Sequence, residues 1–70
     1  MNDITFELKG EYIELIQLLK VTRMAQSGAD AKVFVEEGLV KLNAVVESRK
    51  RAKVRKGDKV QVENTTITVA

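Results

Sequence analysis

Seventy residues carry a formal net charge of +2, with 44% hydrophobic and 31% charged side chains, which suits one globular domain and leaves no length for a second core. Cysteine and histidine are both absent, which excludes a disulfide framework, zinc sites built from thiolates or imidazoles, a catalytic thiol and an imidazole base. No apolar run approaches the length of a membrane span, and Met1-Asn2-Asp3 lacks the basic-then-apolar order of a secretion signal, so a cytoplasmic location is expected.

Along the chain, Ile4, Phe6 and Leu8 alternate with Thr5, Glu7 and Lys9, which is the period of a half-buried strand closed by Gly10. Tyr12, Leu15, Ile16 and Leu19 then fall on one helical face, predicting a first helix over roughly 11–20. Ser27 and Asp30 have the spacing of a capping box and open a second helix. Ala31, Phe34 and Val35 supply its apolar face, and Gly38 its left-handed stop. Lys32 and Glu36 lie one turn apart, away from that face. Two readings of Lys32 stand equal: an outward contact residue, or half of an i,i+4 pair with Glu36.

After Gly38 the period changes to two. Val40 and Leu42 alternate with Lys41 and Asn43, and Asn43-Ala44 marks a tight turn into Val45-Val46, with Ala44 where glycine suits a positive φ better. Val54 stands alone among charges and is expected to anchor its segment to the core. Lys56-Gly57-Asp58-Lys59 is a turn, and Val60, Val62, Ile67 and Val69 form two strands around Asn64-Thr65. The expected order is β-α-α-β-β-β-β, an α+β domain with two helices packed on a small, mainly antiparallel sheet.

The charge is unevenly placed. Residues 1–40 carry a net −3, residues 41–60 a net +6, and seven cations fall within residues 49–59 against one acid, Asp58. Such asymmetry points to a polyanionic partner. Arginine's forked donors suit phosphates and guanine edges. Solubilising surfaces usually mix the two signs, and a lipid anchor normally needs a second signal that this chain lacks. The only rings are Phe6, Tyr12 and Phe34, too few for a platform that stacks a run of unpaired bases. Backbone and shape recognition of a folded nucleic acid is therefore favoured over single strands. Neither helix is basic enough to enter a DNA major groove. No Gly-rich phosphate loop or activated nucleophile appears, so no enzyme activity, cofactor, metal or small-molecule substrate is expected.

With those features in place, Ser27-Gly28-Ala29-Asp30-Ala31-Lys32, Gly38-Leu39-Val40-Lys41-Leu42-Asn43 and Gly57-Asp58-Lys59-Val60 resemble the S-four-like RNA-binding domain. This is the αL motif named for protein four of the small ribosomal subunit. The likeness covers about residues 12–63 of a single domain spanning 1–70, and residues 37–53 are most similar to the small stand-alone bacterial YbcJ-like members. It implies that the start of the second helix and the following hairpin contact RNA. By position this nominates Ser27, Lys32, Lys41, Asn43, Arg49, Lys50, Arg51 and Lys53. Three departures shift the expected RNA surface away from the first helix and toward residues 41–55: Gly28 replaces the family's arginine, Ala44 its hairpin glycine, and Glu11-Tyr12-Ile13-Glu14 its basic helix opening. Pseudouridine synthases and tyrosyl-tRNA synthetases carry this module beside a separate catalytic domain. The expected partner is structured RNA, ribosomal or transfer RNA by this resemblance. The competing reading is a small adaptor whose basic face meets an acidic protein.

Overall fold

The computed structural model describes residues 2–70; Met1 lies outside the described residues. Its elements run β1 (Asn2–Phe6), β2 (Ile13–Glu14), α1 (Leu15–Val21), α2 (Gly28–Glu36), β3 (Val40–Leu42), β4 (Val45–Val46), β5 (Lys53–Val54), β6 (Lys59–Val62) and β7 (Thr65–Val69). Five strands form one sheet in the order β1-β7-β6-β3-β4, and β2 pairs with β5 in a separate two-stranded ribbon. All pairings are antiparallel except β1 with β7. The α+β architecture expected from the apolar periods is thus present, with the small ribbon added.

Period-two patterning decides which sheet face is covered. Val40, Val60, Val62, Ile67 and Val69 are buried, while Lys41 and Lys59 beside them are exposed and Gln61 and Thr68 between them are half-buried. The helices cover the apolar face. Leu15, Leu18 and Leu19 of α1, spaced i, i+3, i+4, are wholly buried, and Ala31 and Val35 of α2 meet them. Replacing one such leucine by alanine costs about 2–5 kcal/mol. A chain of this size holds a total of only about 4–10 kcal/mol, so any one of the three can decide whether it folds.

The second helix follows its local signals. Ser27 Oγ accepts a hydrogen bond from the Asp30 N–H at 3.3 Å. At the other end Gly38 N–H donates to the Val35 carbonyl at 3.1 Å and Leu39 N–H to the Phe34 carbonyl at 3.0 Å. That double closure needs a left-handed residue, and Gly38 supplies it at φ 73°.

Three boundaries differ from the sequence expectation. The first helix begins at Leu15, and residues 11–14 are extended, so Tyr12 lies outside it and is 44% exposed. Helical period alone fitted Tyr12, but pairing of Ile13 with Val54 holds this stretch in strand geometry. Strand β1 ends at Phe6, although its edge continues as Ala70 N–H donates to the Phe6 carbonyl and Leu8 N–H to the Ala70 carbonyl, both at 2.8 Å. Leu8 is buried nonetheless. The β6–β7 turn is Glu63-Asn64, with Thr65 already in β7 and buried.

Candidate nucleic-acid interface

The basic segment is a loop whose backbone is fixed to the start of α1. Helix α1 has no side-chain cap, and its first N–H groups need acceptors. The loop provides them: Leu15 N–H donates to the Ala52 carbonyl at 2.9 Å and Ile16 N–H to the Lys50 carbonyl at 3.2 Å. Ala52 and Val54 turn inward and are buried, so Arg51, Lys53 and Arg55 are directed outward. Val54 is the anchor its isolation among charges suggests.

This alternation gathers cations. Arg49, Arg51, Lys53 and Arg55 line one shallow, open depression around Ala52. Arg55 was absent from the residues nominated by motif position. The signal lies in the period of Lys53-Val54-Arg55, where an inward valine places both neighbours on the outer face. The second missed residue is Tyr12, whose exposed ring has the Lys53 ammonium 4.9 Å from its centroid.

Two nominated cations are already engaged. Glu47 Oε2 accepts from Arg49 Nε at 3.1 Å and from the Arg49 backbone N–H at 3.0 Å, and its Oε1 accepts from Nη2 at 3.2 Å. These bonds hold the Glu47 carboxyl below its usual range and raise the Arg49 guanidinium. Lys50 Nζ lies 2.8 Å from Glu36 Oε2, tying the loop to the end of α2 and lowering the Glu36 carboxyl. Of the two readings of Lys32, the i,i+4 pair with Glu36 does not form: Glu36 takes Lys50 as its partner, and Lys32 stays exposed with only a weaker through-space influence on that carboxyl.

The other nominated residues are dispersed. Lys41 is exposed on the outer face of β3 beside a second depression with Gly38, Leu39, Gln61 and Glu63. Ser27 sits at the far end of α2 from Glu36, occupied in capping. Asn43 is in the hairpin turn, its Nδ2 donating to Asp58 Oδ1 at 3.1 Å and its Oδ1 accepting from the Lys59 N–H at 3.0 Å. It locks the β3–β4 turn to the Gly57-Asp58 turn. Among the described residues, no cluster of three or more acidic side chains is arranged to hold a metal, and no helix is long and apolar enough to cross a membrane.

Comparison with known proteins identifies this arrangement. The YbcJ proteins of Escherichia coli (strain K12) and Shigella flexneri are each 41% identical over 66 residues, covering 93% of this chain and 94% of theirs. The solution structure of Escherichia coli YbcJ, described as revealing an αL motif involved in RNA binding, superposes with a TM-score of 0.76 at 39% identity, over all of this chain and 90% of that one. The sequence pattern of the S4 domain matches residues 6–70, and the chain belongs to the S4 domain family.

Proposed function

We propose that this chain is a non-enzymatic RNA-binding protein that recognises structured RNA through its basic strand-loop face. The observation that carries the reading is the convergence of Arg49, Arg51, Lys53 and Arg55 on one open depression, on a loop whose backbone is fixed to α1. A loop already fixed in place loses little freedom when it binds, so its cations act as a rigid phosphate template. The αL motif ascribed to RNA binding in Escherichia coli YbcJ supports the same assignment. Ribosomal or transfer RNA in the cytoplasm is the target this reading favours.

Within the nominated set, Arg51, Lys53 and Lys41 meet phosphates directly, joined by Arg55. Arg49 and Lys50, paired with Glu47 and Glu36, add their contacts once those carboxylates are neutralised. Ser27 and Lys32 extend the surface along α2, and Asn43 acts through the turn it holds.

A salt-titrated comparison of an RNA hairpin, a DNA duplex of equal length and an unstructured single strand tests this. Four phosphate contacts give a log–log salt slope of roughly −3 to −3.5 for the hairpin. Truncating Arg49, Lys50 and Arg51 together should weaken binding to all RNA sequences alike, because phosphate contacts carry little sequence information. A slope shallower than about −1 refutes the electrostatic account. Equal, weak binding to all three probes would favour an acidic protein partner instead.

A further inference from the structure

The ribbon of β2 and β5 carries an arrangement that phosphate binding alone does not use. Its register sets Ile13 against Val54 and Glu14 against Lys53. Continued by one residue, it sets Tyr12 opposite Arg55. Ile13 and Val54 face the core, so Tyr12, Glu14, Lys53 and Arg55 share the outer face. An aromatic ring is thus 44% exposed with the Lys53 ammonium over it, and Lys53 is itself one of the cations, with Arg55, that line the depression.

We propose that Tyr12 is the stacking surface for a single unpaired base, with Lys53 and Arg55 holding the phosphate of the same nucleotide. This rests on the RNA-binding reading above and narrows it to folded RNA with a bulged or extruded nucleotide. The chemistry is an exchange. In the free protein the Lys53 ammonium lies over the ring, 4.9 Å from its centroid. An exposed cation–π contact is weaker than a base stacked on an aromatic side chain. When a phosphate arrives, the four-methylene stem of Lys53 swings the ammonium to it, and the vacated face receives the base. Glu14, half-buried on the same face and opposite Lys53, repels a phosphate on its own side. The phosphate is therefore directed toward Arg55. One ring suffices for one base, which agrees with a chain that has a single tyrosine, no tryptophan and both phenylalanines packed against the core.

The same composition supplies the test, because Tyr12 is the sole tyrosine and reports its own contacts by fluorescence. The probes are a blunt RNA duplex and the same duplex with one bulged nucleotide, both end-labelled for anisotropy. The expected result is about tenfold tighter binding of the bulged duplex, with quenching of Tyr12 beyond that of a free tyrosine amide control. Tyr12→Ala should abolish the preference and Tyr12→Phe retain it, with both variants checked for folding by circular dichroism. Equal affinity for the two duplexes without quenching overturns the stacking site while leaving the RNA-binding reading intact. No binding of either duplex overturns both.

Discussion

Glu47 grips Arg49 through three hydrogen bonds, one to the backbone N–H and two to the guanidinium, from a carboxylate whose side chain is only 14% exposed. The guanidinium itself remains 77% exposed. A cation at the centre of the basic loop is thereby neutralised yet presented to solvent. Glu47→Gln keeps an acceptor for the Arg49 N–H but removes the competing charge. RNA affinity should rise, and the salt slope should steepen by about one phosphate equivalent. An unchanged slope in a salt titration would mean that Arg49 stays bound to residue 47 in the complex.

Acidification should produce the same release in the native chain. Hydrogen bonds from Lys50 and Arg49 depress the Glu36 and Glu47 carboxyls respectively. A depressed folded-state value means that the pairs stabilise the protein above the ordinary glutamate range. That contribution is lost as pH falls through the lowered folded values. Phosphodiesters stay ionised over that window, so the salt slope should steepen while thermal stability drops. Melts and salt titrations of the wild type against a Glu36→Gln, Glu47→Gln double variant isolate the effect. The two proteins should differ at neutral pH and converge below the glutamate range. A constant difference at all pH values would show that the two glutamates act by packing.

Asn43 and Asp58 join two turns that are fifteen residues apart in sequence. Asp58 Oδ2 also accepts from the Arg55 N–H at 2.8 Å, so this carboxylate orders the end of the basic segment as well. Asn43→Ala should cost about 1–2 kcal/mol, from two lost hydrogen bonds at an exposed site together with a poorer left-handed residue. A double-mutant cycle with Asp58→Ala should return a coupling of about 0.5–1 kcal/mol in denaturant melts. Additive losses would mean that each residue holds its own turn independently.

How far these features could be read from the sequence depends on how local their causes are. Both ends of α2 were legible because Ser27, Asp30 and Gly38 act within a turn of the helix they bound. The start of α1 was not, since its first N–H groups are satisfied by carbonyls of Lys50 and Ala52, far along the chain. Tyr12 fits a helical period and is withheld from the helix only by the pairing of its neighbour Ile13 with Val54. Charge clustering pointed to the basic loop proposed as the interface, yet side-chain pairing decides which of its cations are free. The Lys50–Glu36 contact joins two segments that no spacing rule connects. The Glu47–Arg49 pair is local, but i,i+2 spacing in a loop has no fixed geometry from which to foresee it.

The hairpin turn is one place where the sequence departs from what its backbone favours, as are Arg23 and Glu63 at φ of 64° and 53°. Asn43 and Ala44 adopt φ of 53° and 70°, both left-handed, as a two-residue turn matched to the twist of its strands requires. Asparagine tolerates that region, whereas the alanine Cβ crowds the backbone at a cost of about 1–2 kcal/mol. Glycine removes the crowding but adds freedom to the unfolded chain, returning about 0.5–1 kcal/mol of the gain. Ala44→Gly should therefore stabilise the domain by about 0.5–1 kcal/mol, raising the melting temperature by several degrees in a chain of this length. The Asn43–Asp58 bond and the basic loop are untouched by the change, so RNA affinity should stay constant. An unaltered or lower melting temperature would show that the turn relieves its strain by another route, and a change in RNA affinity would place Ala44 itself at the interface.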